Sequence, residues 1–298
     1  MPTLRDIKRR IGSIISIQKI TQAMKMVATA KLRKAQTKVE NARPYFKKLE
    51  SSISTILSSL EGEYSHPLIT PKNDIKNIAL IVISSDRGMC GSFNTNLLKD
   101  VKTKIEKQYN VQYPNAKIHI IPIGKKAISF FTKLNYPIYD QYINISDNAS
   151  FATIKSIIDK IKFAFTDNQF DLVFVHNMEF VNIIKQIPQT YQLLPFVPSN
   201  IDKAKESNFN LNFIFEPDKK SILDDLIPKL IDTKLWSSVL NSAAAEHAAR
   251  RVAMDNATSN ATDLIKNLNL VYNKVRQATI TREIIEIVSG ANALKGIK

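Results

Sequence analysis

Cysteine is almost missing from this chain: Cys90 is the only one in 298 residues. No intramolecular disulfide can form, which suits a reducing compartment. Long apolar runs are missing too. The longest clean one, Ile78 to Ile83, is far below the ~20 residues that a membrane-spanning helix needs. The first residues lack the apolar core of a signal peptide, so membrane association is expected only through a partner. No paired cysteines or histidines occur at metal-ligand spacing, which argues against a metal centre. Internal repeats and low-complexity linkers are also missing.

Glycine and proline are distributed unevenly. Neither occurs between Gly12 and Pro44, nor from Lys229 to Ser289. In the first tract, apolar residues recur at Leu4, Ile7, Ile11, Ile14, Ile17, Ile20, Met24 and Val27. Steps of three and four predict one face of a long helix, with one step of three too many near Ile17, which would overwind a supercoil. The stretch "ARPYF" predicts an end or a kink at Ala42–Pro44. In the second tract a heptad seam reads Leu240, Ala243, His247, Arg250, Met254, Ala257, Ala261, Leu264, Leu268, Val271, Val275, Ala278, Arg282, Ile285. A continuous helix over the second tract would be roughly 90 Å long and would have to project from any globular domain. Two long helices with narrow apolar stripes at opposite chain ends predict an antiparallel coiled coil.

The middle reads as α/β. "NIALIVIS" (77–84), "AKIHIIPIG" (116–124) and "FDLVFVHN" (170–177) predict buried strands. Helical patterns over 94–109, 125–134 and 150–165 separate them. This alternation predicts a parallel or mixed sheet with helices on its faces. "YQLLPFVP" and "FNLNFIF" (209–215) are candidates for a later strand, and Asp218 for the N-cap of the last helix.

Two features invite a chemical reading. The first is the turn "SSDRGMCGSFN" after the first strand, with Gly88 and Gly91 expected to supply its tight backbone angles. It matches neither a dinucleotide fingerprint nor a P-loop. Cys90 as a nucleophile would need a histidine base. His66, His119, His176 and His247 have no local motif, and only His176, read at a strand end, is placed to reach a site. A small buried cysteine is the plainer reading. The second feature is charge. The formal net charge is +15, and residues 1–50 carry 13 Lys/Arg against Asp6, Glu40 and Glu50. Aromatic residues are not interleaved with the basic ones, as a single-strand binder would require. Acidic protein partners are therefore expected rather than nucleic acid. An α/β enzyme using Cys90 with a coiled-coil dimerisation arm, and a basic coiled-coil nucleic-acid binder, are the competing classes.

Taken together, the pieces resemble the γ subunit family of F-type ATP synthases over essentially the whole chain. "IQKITQAMKMVATAKLRKAQ" (17–36), "SSDRGMCGSFN" (84–94), "FIFEPD" (213–218), "AARRVAMDNATSNATDLI" (248–265) and "LVYNKVRQATITREIIEIVSGANAL" (270–294) carry the resemblance. Met89, Ser92, Arg251 and Asn292 depart from the family's usual residues, and its cysteine-bearing regulatory insertion is missing.

The resemblance implies an α/β fold: a long antiparallel coiled coil of N- and C-terminal helices plus a central Rossmann-like domain. The expected boundaries are 1–60 and 217–298 for the coil and 75–216 for the domain. It implies a central-stalk rotor that couples proton flow through a membrane c-ring to ATP synthesis on β subunits, without catalysis, cofactor or metal of its own. The implied partners are three α and three β subunits, the ε subunit and the c-ring. Implied β-subunit contacts are Met24, Lys25, Arg250, Arg276, Gln277 and Glu286; Phe213 and Glu216 would lie near the c-ring. Asp86, Arg87, Gly88, Cys90 and Gly91 would form a structural turn. The expected location is the cytoplasmic face of a bacterial inner membrane, or alternatively the matrix face of the mitochondrial one.

Overall fold

The computed structural model describes residues 3–60, 64–72, 74–145, 150–197 and 215–295. Contacts divide the chain into a terminal unit, Met1–Val27 with Arg251–Lys298, and a central unit, Ala28–Arg250.

Helix α1 (Leu4–Ser58) is capped reciprocally. Thr3 Oγ1 accepts the Asp6 N–H, and the Asp6 carboxylate accepts from Thr3. The helix does not end at Ala42–Pro44. Pro44 lies inside it, although proline removes one backbone bond and crowds the preceding turn, at a cost of about 3 kcal/mol. Leu49, Ile53 and Ile56 beyond it are buried beneath the sheet. Each such burial stabilises by about 1.5–3 kcal/mol, enough to carry the helix past the proline.

The sheet holds β1 (Asn77–Ile83), β2 (Lys117–Ile123), β3 (Leu172–Phe180) and β4 (Gln186–Leu194), in the order β2-β1-β3-β4. Strand β1 runs parallel to both neighbours, and β4 closes the edge antiparallel to β3. Helices cover both faces, which is why "NIALIVI" is apolar throughout instead of alternating. Ala79, Ile81 and Ile83 face α4 (Phe151–Thr166), the end of α1 and the start of α5 (Lys219–Lys295). Ile78, Leu80 and Val82 face α2 (Phe93–Lys104) and α3 (Lys125–Lys133). Strand β4 starts five residues before the "YQLLPFVP" expected for it. Its Pro188 and three glutamines suit an edge that is only half covered. The other expected strand segment, 209–215, lies outside the described residues apart from Phe215.

Helix α5 starts as expected: Asp218 Oδ1 accepts the N–H groups of Lys220 and Ser221. In the terminal unit α5 pairs with α1. Gln18 meets Thr262, Thr21 meets Thr258 and Lys25 meets Asp255. Partners advance on one helix as they recede on the other, so the pair is antiparallel.

The seam of this pair follows the apolar stripe that the sequence suggests only in part. On α1 it runs through Leu4, Ile7, Ile11, Ile14, Gln18, Thr21 and Lys25 in unbroken steps of three and four. The extra step near Ile17 therefore vanishes, and with it the expected overwinding. Ile17, Ile20 and Val27 are instead 53%, 58% and 57% exposed. On α5 the seam passes through Met254, Thr258, Ala261, Ile265, Leu268, Tyr272 and Val275, leaving Leu264 and Val271 exposed. From Gln18 onward on α1, and at every second seam position on α5, the inward residue is the one after the apolar candidate.

Candidate functional site

The turn Ser84–Asn94 leaves the carboxyl end of β1. Strand β1 lies between β2 and β3, so this is the switch point where open α/β sheets usually bind ligands. Here the chain fills it. Ser84 Oγ accepts the Ala127 N–H at 2.9 Å, and Asp86 Oδ1 accepts the Lys125 N–H at 3.1 Å, so both hold the start of α3. Asn94 accepts the Ser85 N–H through Oδ1 and donates through Nδ2 to Ser85 Oγ (2.8 Å) and Cys90 Sγ (3.1 Å). From above, α5 closes the crevice. Ser242 donates to the Ile83 carbonyl at 3.2 Å, and Ala245 and Ala249 join the core cluster that contains Cys90 and Phe93.

Arg250 finishes the closure. Its Nη1 lies 2.7 Å from Glu246, with side chains only 11% and 5% exposed. Its Nη2 donates to the carbonyls of Arg87 and Gly88 at 3.4 Å. The guanidinium thus joins α5 to the tip of the turn. Arg87 itself is exposed at that tip. Gly91 has the expected positive φ, but Gly88 does not; Met89 takes φ 59° in its place. The tip is exposed, so a methionine can adopt the left-handed backbone there at a cost of about 1–2 kcal/mol without a clash.

This arrangement does not favour nucleophilic chemistry. Cys90 is buried, and burial pushes its thiol above the ordinary range, away from the reactive thiolate. His176 lies inside β3 rather than at its end, because the strand continues to Phe180. Its Nδ1 is 2.8 Å from Thr190 Oγ1 and its Nε2 is 3.3 Å from the Tyr109 hydroxyl. Burial lowers its pKa to about 3, so the ring is a neutral core group. Among the described residues, no group of three or more His, Cys, Asp or Glu is placed to hold a metal ion.

The other expected site residues are dispersed. Met24 and Lys25 are half-buried on α1 in the terminal unit, with Lys25 ion-paired to Asp255. Arg276, Gln277 and Glu286 are exposed on α5. Glu216 is exposed just before α5, and Phe213 lies outside the described residues.

What sequence reasoning missed is the outer surface of the helix pair. In an antiparallel coil, the residues preceding seam positions fall on the same side of both helices. Ile17, Ile20, Met24 and Val27 of α1 therefore share one side with Leu264 and Val271 of α5, forming a one-sided apolar band. Further along, Ile280, Ile284, Ile285, Ile287 and Val288 are all exposed on α5. A soluble helix pair normally buries such residues. The usable signal was the adjacency of two candidate stripes, one polar and one apolar.

Comparison with known proteins agrees across methods. A family model described as ATP synthase matches residues 3–294. The ATP synthase gamma chain of Chloroherpeton thalassium is 40% identical, with 99% of each chain covered. That of Chlorobaculum tepidum is 39% identical over 99% of this chain and all of its own. Among solved structures, a chain in the central stalk and c-ring of the Tetrahymena thermophila mitochondrial ATP synthase aligns with TM-score 0.57 at 25% identity, covering 80% of this chain and 99% of that one. A rotor chain of the Euglena gracilis enzyme aligns with TM-score 0.65 at 20% identity, over 93% and 98% of the two chains, and supports the fold.

Proposed function

Because this chain belongs to the ATP synthase gamma-chain family, it is a central-stalk subunit of that complex, and we propose that it serves there as a rotating shaft that makes and breaks no bonds itself. Residues 1–60 and 217–298 supply the coiled coil, and 75–216 the base. The coil stands within a ring of three α and three β subunits, and the base sits on the ε subunit and the c-ring, with Phe213 and Glu216 nearest the latter. Proton flow turns the c-ring, and the c-ring turns this chain.

The observation that carries this reading is the one-sided apolar band beside the seam, at the rungs where the seam itself turns polar with Gln18, Thr21 and Lys25. A shaft with equal sides would press three β subunits alike. One with a single apolar side presents a different surface to each, and so shifts each to a different conformation. Turning a minor state into the dominant one takes about 5.5 kcal/mol of differential binding. Apolar burial together with charge-assisted contacts of about 1.5–3 kcal/mol each supplies it. Met24, Lys25, Arg276, Gln277 and Glu286 are the β-facing residues of this account. The resemblance also implies Arg250 as a β contact, and its pairing with Glu246 gives it the further task of joining α5 to the turn.

The filled switch point and the buried Cys90 thiol support a non-catalytic role. No helix among the described residues is long and apolar enough to cross a membrane. Our reading sets the chain at the cytoplasmic face of a bacterial inner membrane, held there by its partners.

Arg276 is exposed, so Arg276→Ala should leave the chain's stability within about 0.5 kcal/mol. In the reconstituted complex the same change should slow ATP synthesis about tenfold, the equivalent of one charge-assisted contact. Undiminished synthesis would contradict the assignment.

A further inference from the structure

Helix α2 ends at Lys104 and runs on into a π turn, Ile105–Tyr109, where the Asn110 N–H reaches back to the Ile105 carbonyl. Such turns are rare and frequently mark functional places. In an α-helix, a residue five positions on stands about 140° round the axis. The wider turn reduces that angle, so Lys104 and Tyr109 reach the same part of the sheet. There they meet His176 on β3 and Thr190 on β4, a directly opposed cross-strand pair. Lys104 Nζ donates to Thr190 Oγ1 at 2.7 Å, and Thr190 Oγ1 lies 2.8 Å from His176 Nδ1. His176 Nε2 lies 3.3 Å from the Tyr109 hydroxyl. His176 and Tyr109 are fully buried. The shaft reading gives none of these groups a task.

Two proton arrangements fit these distances, one for each neutral tautomer of His176. The charges at the two ends distinguish them. The Lys104 ammonium can only donate, so Thr190 Oγ1 is already an acceptor. An Nδ1–H aimed at the same oxygen would face that positive charge. A bare Nδ1, the negative end of the imidazole dipole, suits it and accepts the Thr190 hydroxyl. At the other end, burial and then the Asp100 carboxylate keep the Tyr109 hydroxyl protonated. A carboxylate draws the hydroxyl hydrogen towards itself, which leaves the Tyr109 oxygen to accept from His176. We propose that Lys104 sets the direction of this buried chain and fixes His176 as the Nε2–H tautomer, with the π turn letting one helix hold both ends. Lys104 is a positioning residue, acting on His176 through Thr190. Bonds that all point one way strengthen one another. They tie β4, the edge strand with only β3 beside it, to α2.

The test uses the full chain labelled with nitrogen-15 in histidine. Long-range nitrogen–proton correlation reads the tautomer of each neutral ring, and His176 is recognised by its contact with the Tyr109 ring. The Nε2–H form should exceed the Nδ1–H form at least about tenfold. Lys104→Met keeps an unbranched stem without the charge and should reduce that ratio at least about threefold. Lys104→Arg keeps the charge and should hold the native ratio. Backbone amides of β4 should exchange faster with solvent in Lys104→Met than in the native chain. A native ring in the Nδ1–H form, or a ratio that Lys104→Met leaves unchanged, would overturn the assignment. Unchanged amide exchange would overturn the tie to β4. Neither readout needs a partner subunit, so both are independent of the shaft reading.

Discussion

Gly124→Ala is expected to destabilise the central unit by about 3 kcal/mol or more. Gly124 joins β2 to α3 with φ +102°, a region that side chains rarely adopt. A Cβ there would lie 2.4 Å from the Ser84 carbonyl oxygen and 2.7 Å from Ser84 Oγ. Neither neighbour has room to yield. The Ser84 N–H donates to the Ile123 carbonyl, the Gly124 N–H to the Tyr142 carbonyl, and Ser84 Oγ accepts from Ala127. The strain therefore reaches the start of α3 and the turn together. Trp236, the only tryptophan, packs edge-on against Phe151 in this unit and reports its unfolding. Urea titration of the full chain should show a lower midpoint. A loss below about 1 kcal/mol would mean that the β2–α3 junction is not built this way.

Arg250→Ala is expected to cost nearly as much, about 3 kcal/mol, because it leaves the Glu246 carboxylate buried without its guanidinium. The turn should loosen too, so backbone amides of residues 86–91 should exchange faster with solvent. Adding Glu246→Gln removes the carboxylate that Arg250 faces and should recover part of the loss. The effect should barely respond to salt, because the pair is shielded from solvent. A cost below about 0.5 kcal/mol, the level of an exposed ion pair, would mean that Arg250 does not close the crevice. In the complex the same substitution separates two roles. Loss of coupling with the turn still ordered assigns Arg250 to the β subunits. Loss that follows turn exchange assigns it to the joint between α5 and the base.

Much of the fold was legible because the physics that makes it is local. The pure apolar run of β1 signals a strand covered on both faces, and Asp218 before "KKSILDDL" signals a helix start. Pro44 misled because proline's local cost was outweighed by Leu49, Ile53 and Ile56, whose burial depends on a sheet formed elsewhere in the chain. Strand β4 was half-hidden because an edge strand tolerates Pro188 and glutamines. The facing of the coil was misread for a more instructive reason. Apolar periodicity reports which residues become buried, not what buries them. At Ile17 and Gln18, Ile20 and Thr21, and again at Leu264 and Ile265, the periodicity locates a surface without saying whether the neighbouring helix or another subunit covers it. The turn reads as architecture from its own residues, but the residue that closes it, Arg250, lies more than 150 positions away and has no signature linking it to Gly88.

The most direct measurement fixes the complex by its ring of α and β subunits and follows a probe on the base, attached at Lys107→Cys, an exposed position on the π turn after α2. With ATP supplied, the probe should revolve in one direction and pause once for each β subunit. A probe that stays still while the ring hydrolyses ATP would show that this chain is not the axle.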